Sequence, residues 1–320
     1  MNILLCSVGR RVKLVEYFKK ELQKVNGKVV AIDCDPNAAA LHHADFFEVV
    51  PPIDNPEYIH HVKYLCNKFN IRGVLSLIDP ELPLLASCKQ EFEKEGIHLI
   101  MSDKDIVDIC CDKDKTYKFL QANHIPTIPT YVGIDRVRED LKKCKINFPL
   151  IVKPKNGSAS IGIHRVTSIE ELRVFQDNQQ DYIVQPFITG DEMGVDCYID
   201  LHTKKAVNIF IKQKLKMRAG ETDKSISVRD PVLKQMIEKL IVALKPIGPI
   251  DIDCFKTDEG YIISEINPRF GGGYLHAHES GQNFIKNIIN NLNGSPNGHH
   301  ENDYLVGTIM VKYDDFMILV

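Results

Sequence analysis

The chain has 320 residues, with 40 Lys and Arg against 43 Asp and Glu and 44% hydrophobic residues. That length gives room for two or three domains with ample core. The near-neutral balance, without a basic block, implies neither a nucleic-acid nor a membrane-surface partner, and no run approaches the ~20 apolar residues of a membrane span.

Residues 2–8 read as a first apolar strand, without the long apolar run of a signal peptide. Gly9 follows, then a helix with Val12, Val15, Phe18, Leu22 and Val25 on one face. Strands are expected at 28–32, 46–50, 73–78 and 97–101, with helices at 56–69 and 80–95. Such alternation argues a parallel, doubly wound sheet over about residues 1–105. Ligands of these sheets sit at the carboxyl ends of the strands. Gly9-Arg10-Arg11, Asp33, Asp35, Asp79 and Glu81 fall there. A dinucleotide fingerprint needs three glycines in the first turn, and this turn has one. Arg10 and Arg11 are read instead as holding an anionic part of a substrate, or as capping the sheet edge. The nine cysteines form no CxxC pair. That fits reduced thiols in the cytoplasm.

Two short helices are expected at 103–111 and 112–120. Residues 148–154 read as a strand that contains Lys153. A lysine inside an apolar strand must meet an anion or reach water. The loop Lys155-Asn156-Gly157-Ser158-Ala159-Ser160-Ile161-Gly162 is small and polar. Its backbone N–H groups could close on phosphate oxygens, although Gly/Ser connections between strands are common and the P-loop pattern is absent. An apolar strand at 181–188 is broken by Pro186. Antiparallel strands follow at 193–200 and 206–212. The basic segment 212–222 is expected to be a solvated loop. An amphipathic helix at 230–244 turns Val232, Leu233, Met236, Leu240 and Leu244 inward.

Residues 250–255 and 261–267 read as two strands joined by the turn Asp258-Glu259-Gly260. Asp251 and Asp253 share a face, as do Glu265 and Asn267. If the strands pair, Asp253, Glu265 and Asn267 converge. Hard oxygen ligands in one place suit Mg²⁺, which leaves positions for substrate phosphates. A solvated acid face is the plainer alternative. Pro268-Arg269 and the run Gly271-Gly272-Gly273 speak against it, because a surface strand has no need of a glycine run. Asp251 is left to Arg218 or to the substrate. Tyr274, His276, His278 and Glu279 come next, as pocket lining or packing rather than a zinc site. A helix at 282–292 and a strand at 305–311 complete the chain.

Lys113, Lys153, the loop 157–162, Gln185 to Glu192, Asp253 and Glu265-x-Asn267-x-Arg269, in that order, resemble the ATP-grasp superfamily. The likeness is to one synthetase half of the carbamoyl-phosphate synthase large subunit and to stand-alone carboxylate–amine ligases, and it covers nearly the whole chain. It implies a mixed α/β and α+β fold in three parts. These are a doubly wound pre-ATP-grasp domain (1–111), a lid subdomain with its preceding helix (112–188) and a C-terminal antiparallel α+β domain (189–320). ATP would lie between the last two.

The resemblance also implies roles. Lys113 and Lys153 would contact ATP phosphates, covered by the loop that holds Gly157, Ser158, Ser160 and Gly162. Gln185, Phe187 and Ile188 would meet adenine, and Glu192 the ribose. Gln185 departs from the Glu that many relatives carry. Asp253, Glu265 and Asn267 would hold Mg²⁺, or Mn²⁺, and Arg269 would face the reacting phosphoryl or acyl phosphate. Arg218, in the basic segment, is expected to hold the acceptor's carboxylate or phosphates, since Arg suits bidentate recognition. The implied activity is ADP-forming ligation of a small carboxylate, an amino acid or related acid, to an amine. Phosphorylation of bicarbonate or carbamate is one alternative, and a nucleotide-binding module without turnover is another. Expected partners are small-molecule substrates, with a homodimer compatible, in the cytoplasm.

Overall fold

The structure is a computed structural model, and it describes residues 1–157, 161–175, 181–298 and 303–319. The N-terminal unit runs β1 (Asn2–Cys6), α1 (Val12–Gln23), β2 (Lys28–Asp33), β3 (Phe46–Val49), α2 (Tyr58–Lys68), β4 (Ile71–Ser76), α3 (Leu82–Lys94) and β5 (His98–Leu99). Its strands are parallel, in the order β3-β2-β1-β4-β5. The runs Ile3-Leu4-Leu5 and Val29-Val30-Ala31-Ile32 are buried, as in strands covered on both faces. Leu4, Cys6, Val30 and Ile32 pack with α2 and α3. Ile3, Leu5, Val29 and Ala31 pack with α1 and with aromatic residues from the far end of the chain, Phe270, Tyr274 and Phe284. The first sheet therefore shares its core with the last part of the chain.

Two helices follow, α4 (Lys104–Cys110) and α5 (Lys113–Ala122). Asp112 caps α5 by accepting from the N–H groups of Asp114 and Lys115, which sets the start of that helix. A small antiparallel sheet comes next. It contains β6 (Tyr131–Val132), α6 (Asp135–Lys142), β7 (Leu150–Pro154), β8 (His164–Val166), α7 (Ile169–Arg173) and β9 (Tyr182–Pro186). Its strand order is β6-β9-β7-β8.

The remaining elements are β10 (Asp191–Ile199), β11 (Ala206–Arg218), β12 (Glu221–Ser227), α8 (Pro231–Leu244), β13 (Gly248–Thr257), β14 (Gly260–Asn267), α9 (Tyr274–Glu279), α10 (Phe284–Leu292) and β15 (Ile309–Val311). The strands form one antiparallel sheet in the order β14-β13-β10-β11-β12-β15. Val195, Cys197, Ile209, Ile211 and Ile252 on one face pack under Leu233, Ile237 and Leu240 of α8. Period-two alternation sends their neighbours to the other face.

The segment expected as a solvated loop is instead the outer half of β11 and the start of β12. Arg218 pairs with Glu221, and Ala219 and Gly220 between them both have positive φ, 49° and 74°. That is the geometry of a tight two-residue hairpin. The last strand is shorter than expected, Ile309–Val311. Among the described residues no helix is long and apolar enough to cross a membrane, and all nine cysteines are free.

Candidate active site

In the β13–β14 hairpin Asp253 stands opposite Glu265, and Asp251 opposite Asn267. The register shifts after Asp253, so that Cys254 meets Ile263 and Ser264 is the extra residue. A bulge of this kind re-aims the strand, and Glu265 and Asn267, both beyond it, share a face by the period of two. On the other side of β13, β10 places Gly194 against Asp253 and Asp196 against Asp251. Next in the sheet, β11 places Lys212 against Gly194. One face of four strands thus brings Asp196, Asp251, Asp253, Glu265 and Asn267 together with Lys212 and Lys214.

Gly194 is the gap that lets the lysines cross. A Cβ there would lie 3.0 Å from Lys214 Cε and 3.1 Å from Lys212 Cε. Lys214 donates to Asp253. Lys212 donates to Asp196, with both side chains 1% exposed. Burial pushes the Asp253 carboxyl up to about 6, with Asp251 and Glu265 acting the same way and Lys214 opposing.

A cavity of about 760 Å³ opens over this floor. One wall carries Lys153, Gln185, Phe187, Ile188 and Glu192. Lys153 is 8% exposed. Burial lowers its pKa, against the pull of Glu265 and Asp253, and no hydrogen bond or ion pair fixes its ammonium among the described residues. Lys113, at the start of α5, donates to the Gly157 carbonyl at 2.8 Å and lies 3.6 Å from Glu265. Gly157 has a φ of 116° and Gly162 one of 71°, angles that favour glycine. Ser158 and Ser160 lie outside the described residues. Gln185 is buried and donates to Thr130 Oγ1 at 2.8 Å. The Phe187 ring lies under the Arg165 guanidinium, 5.0 Å away.

The opposite rim comes from the carboxyl ends of β1 and β4 and includes Ser7, Gly9, Arg10, Arg11 and Asp79. The Gly9 N–H donates to Asp33 at 2.8 Å. Fully buried Glu81 accepts from Ser7 at 2.9 Å, from Ser76 at 2.6 Å and from Tyr58. These bonds fix the loop that presents the arginines. Arg11 lies 3.5 Å from Glu221 and donates to the Phe270 carbonyl at 3.3 Å. Arg10 and Lys312 also approach Glu221, at 3.7 and 3.0 Å.

Arg269 joins the two ends of the chain. It pairs with Asp79 at 2.7 Å and Asp251 at 3.5 Å. Burial works against its charge, but the two acids outweigh it and hold the pKa above the ordinary arginine value. Its Nε is buried and has no partner among the described residues. A buried donor left so costs roughly 1–3 kcal/mol, so an acceptor at that edge is favoured. The glycine run explains how the chain comes so close. A Cβ at Gly271 would lie 2.5 Å from Asp251 Cγ, one at Gly272 2.9 Å from Glu221 Cδ, and one at Gly273 2.7 Å from Lys212 Cε.

Lys113, Lys153, Gln185, Phe187, Ile188, Glu192, Asp253, Glu265, Asn267 and Arg269 are thus brought around two adjoining cavities. Arg218 is not. It pairs outside with Asp223 and Asp314, at 3.0 and 2.8 Å. Two register shifts after Lys214 turn Met217 rather than Arg218 to the cavity. The partner of Asp251 is therefore Arg269. Of the basic segment, Glu221, a substrate candidate beside Arg218, does line the cavity, as does Lys214, which the sequence reading does not single out. The alternation Lys212, Lys214, Lys216 with Gln213 and Leu215 is the strand signal that could have found Lys214.

His276 is held between Ser225 at 2.8 Å and Thr308 at 2.9 Å. His278 contacts Tyr274 and stacks on Tyr17. Both serve packing. Among the described residues no group of three or more His, Cys, Asp or Glu side chains is placed to hold a metal. Asp253, Glu265 and Asn267 are two carboxylates and an amide. That donor set fits Mg²⁺, whose remaining ligands come from water and substrate phosphates. The Lys153 ammonium and Arg269 Nε, neither with a partner among the described residues, fit an anion beside it.

A parallel α/β unit followed by a lid sheet and an antiparallel sheet, with lysines and acids facing one cavity, defines a nucleotide-site architecture. The model of the ATP-grasp domain matches residues 110–273, and that of a PylC-like N-terminal domain matches residues 3–100; the chain belongs to the ATP-grasp family. It is 29% identical over 192 residues to a D-alanine–D-alanine ligase of Thermotoga maritima, with 54% of this chain and 61% of that protein covered. It is 26% identical over 188 residues to a carbamoyl-phosphate synthase of Methanobrevibacter smithii, with 57% and 48% covered. The chain thus spans about half to three fifths of the length of these curated relatives. The biotin carboxylase domain of the Hydrogenobacter thermophilus 2-oxoglutarate carboxylase, solved with MgADP, ADP and bicarbonate, superimposes with a TM-score of 0.77 at 15% identity. That match covers 96% of this chain and 73% of the other, and it is a likeness of fold.

Proposed function

We propose that the protein is an ATP- and Mg²⁺-dependent ligase that activates a small carboxylate, an amino acid or related acid, and joins it to an amine. The observation that carries this reading is the convergence of Asp253, Glu265 and Asn267 with Lys113, Lys153 and Lys214 around one centre. When bound, Mg-ATP supplies the phosphoryl group that turns a carboxylate into an acyl phosphate open to attack by an amine. The three oxygen donors on β13 and β14 hold the metal. Lys113, Lys153 and Lys214 neutralise phosphate oxygens, and Arg269 offers its Nε edge to the group being transferred. Gln185, Phe187 and Ile188 take the adenine and Glu192 the ribose. Arg10 and Arg11 meet the anionic part of the substrate.

The test is ADP release from Mg-ATP over a panel of carboxylates, with and without amines. Turnover that needs both a carboxylate and an amine supports the ligase. The likeness to a carbamoyl-phosphate synthase favours a second reading, phosphorylation of bicarbonate or carbamate. ADP release with bicarbonate alone supports that one. Nucleotide binding without turnover across the panel removes both.

A further inference from the structure

We propose that Asp79 is a positioning residue for the reaction: it fixes the orientation of Arg269 and so brings the N-terminal unit into the reacting centre. The proposal rests on the reading of Arg269 given above. Asp79 follows β4 and opens a single tight turn, Asp79–Glu81, with Pro80 inside it. The turn cannot drift, because Glu81 is anchored to Ser7, Ser76 and Tyr58. Arg269 follows β14 of the antiparallel sheet, where its N–H donates to the Asn267 carbonyl at 2.8 Å. Both side chains of the Asp79–Arg269 pair are 11% exposed.

The guanidinium is held at both terminal nitrogens. Nη2 donates to Asp79 at 2.7 Å. Nη1 meets Asp251 at 3.5 Å and the Phe270 carbonyl at 3.1 Å. A planar fork occupied at both ends keeps one orientation, and that orientation leaves Nε as the edge without a partner among the described residues. Asp79 also lines a second cavity of about 520 Å³ that shares Glu265 and Asn267 with the first. The pair therefore stands in the wall beside the proposed metal ligands. Asp251 alone, at the longer distance, does not hold both ends of the fork. Without Asp79 the guanidinium turns about its own axis and Nε leaves its position.

The experiment uses the full chain and Asp79→Asn, which keeps the size of the side chain and removes its charge. The Arg269 Nε–H resonance is identified in ¹⁵N NMR spectra by its loss in Arg269→Lys. In Asp79→Asn that resonance is expected to shift or broaden. With carboxylate and amine present, kcat for ADP release is expected to fall about tenfold or more, with KM for ATP within about twofold. An unmoved resonance overturns the proposal. So does a moved resonance with unchanged kcat, or a loss that appears only in KM for ATP. If wild-type protein turns over nothing, the ligase reading fails, and the resonance still decides whether Asp79 orients Arg269. Should Asp79→Asn fail to fold, Asp79→Glu is read by the same resonance and the same division between kcat and KM.

Discussion

The floor and the rim of the cavity neutralise their acids in different ways. On the floor Asp253 meets Lys214 and Glu265 meets Lys113. On the rim Asp79 holds Arg269, which also reaches Asp251 at the edge of the floor, and Glu221 gathers Arg10, Arg11 and Lys312. A lysine ammonium is a compact charge on a flexible stem and can change partners. An arginine fork is planar and holds several partners at once. The floor is thus suited to exchange its cations for a metal and phosphates. The rim is suited to keep its shape while they arrive.

The largest expected effect is on the floor. Glu265→Gln should lower ADP release by about 10²-fold or more, with the circular dichroism spectrum unchanged. Unchanged turnover would remove Glu265 from the metal site. Lys214→Met comes next, with a loss in kcat of roughly tenfold or more. Lys214→Arg should not restore it, because the side chain lies almost buried over Gly194 and a wider fork does not fit. Full rescue by arginine would erase the contrast between the two walls.

Arg11→Gln tests the rim. Its expected signature is a rise of about tenfold in KM for the carboxylate or the amine, with KM for ATP unchanged. A rise confined to ATP would put this wall on the nucleotide side. A smaller effect concerns pH. Burial lowers the Lys153 pKa, so its positive charge is lost at a lower pH than in a free lysine. Nucleotide affinity, measured by calorimetry between about pH 7 and 10, should fall as the pH rises. Lys153→Arg, which stays charged, should flatten that fall. The same alkaline loss in both proteins would show that another group is responsible.

Much of this fold is written in local patterns. The buried strands of the first sheet are continuous apolar runs between amphipathic helices, and β13 and β14 announce themselves through Asp253, Glu265, Asn267 and the glycine run. The outer half of β11 does not. Lys212 and Lys214 are hydrophilic by composition, and their burial depends on Gly194, Asp196 and Asp253 on the next two strands of the sheet, β10 and β13. Whether Met217 or Arg218 faces inward depends on two register shifts that have no composition of their own. The pairing of Arg269 with Asp79 joins the first domain to the last, and no spacing rule within either one predicts it.

Gly194→Ala should have the smallest effect, yet it bears most directly on why the floor holds lysines. The new Cβ would lie 3.0 and 3.1 Å from the Cε atoms of Lys214 and Lys212, closer than ordinary packing allows. Lys212 is confined by its buried ion pair with Asp196, so Lys214 is the side chain expected to give way. The cost should be about 1–3 kcal/mol of stability, seen as a lower thermal midpoint. Displacing Lys214 from Asp253 should also reduce turnover, by less than Lys214→Met does. Gly298→Ala is the control, since a Cβ there meets nothing within 4 Å. If Gly194→Ala keeps both the midpoint and the turnover of the wild type, the lysines have room to spare, and their path across β10 is not what sets the charge pattern of the floor.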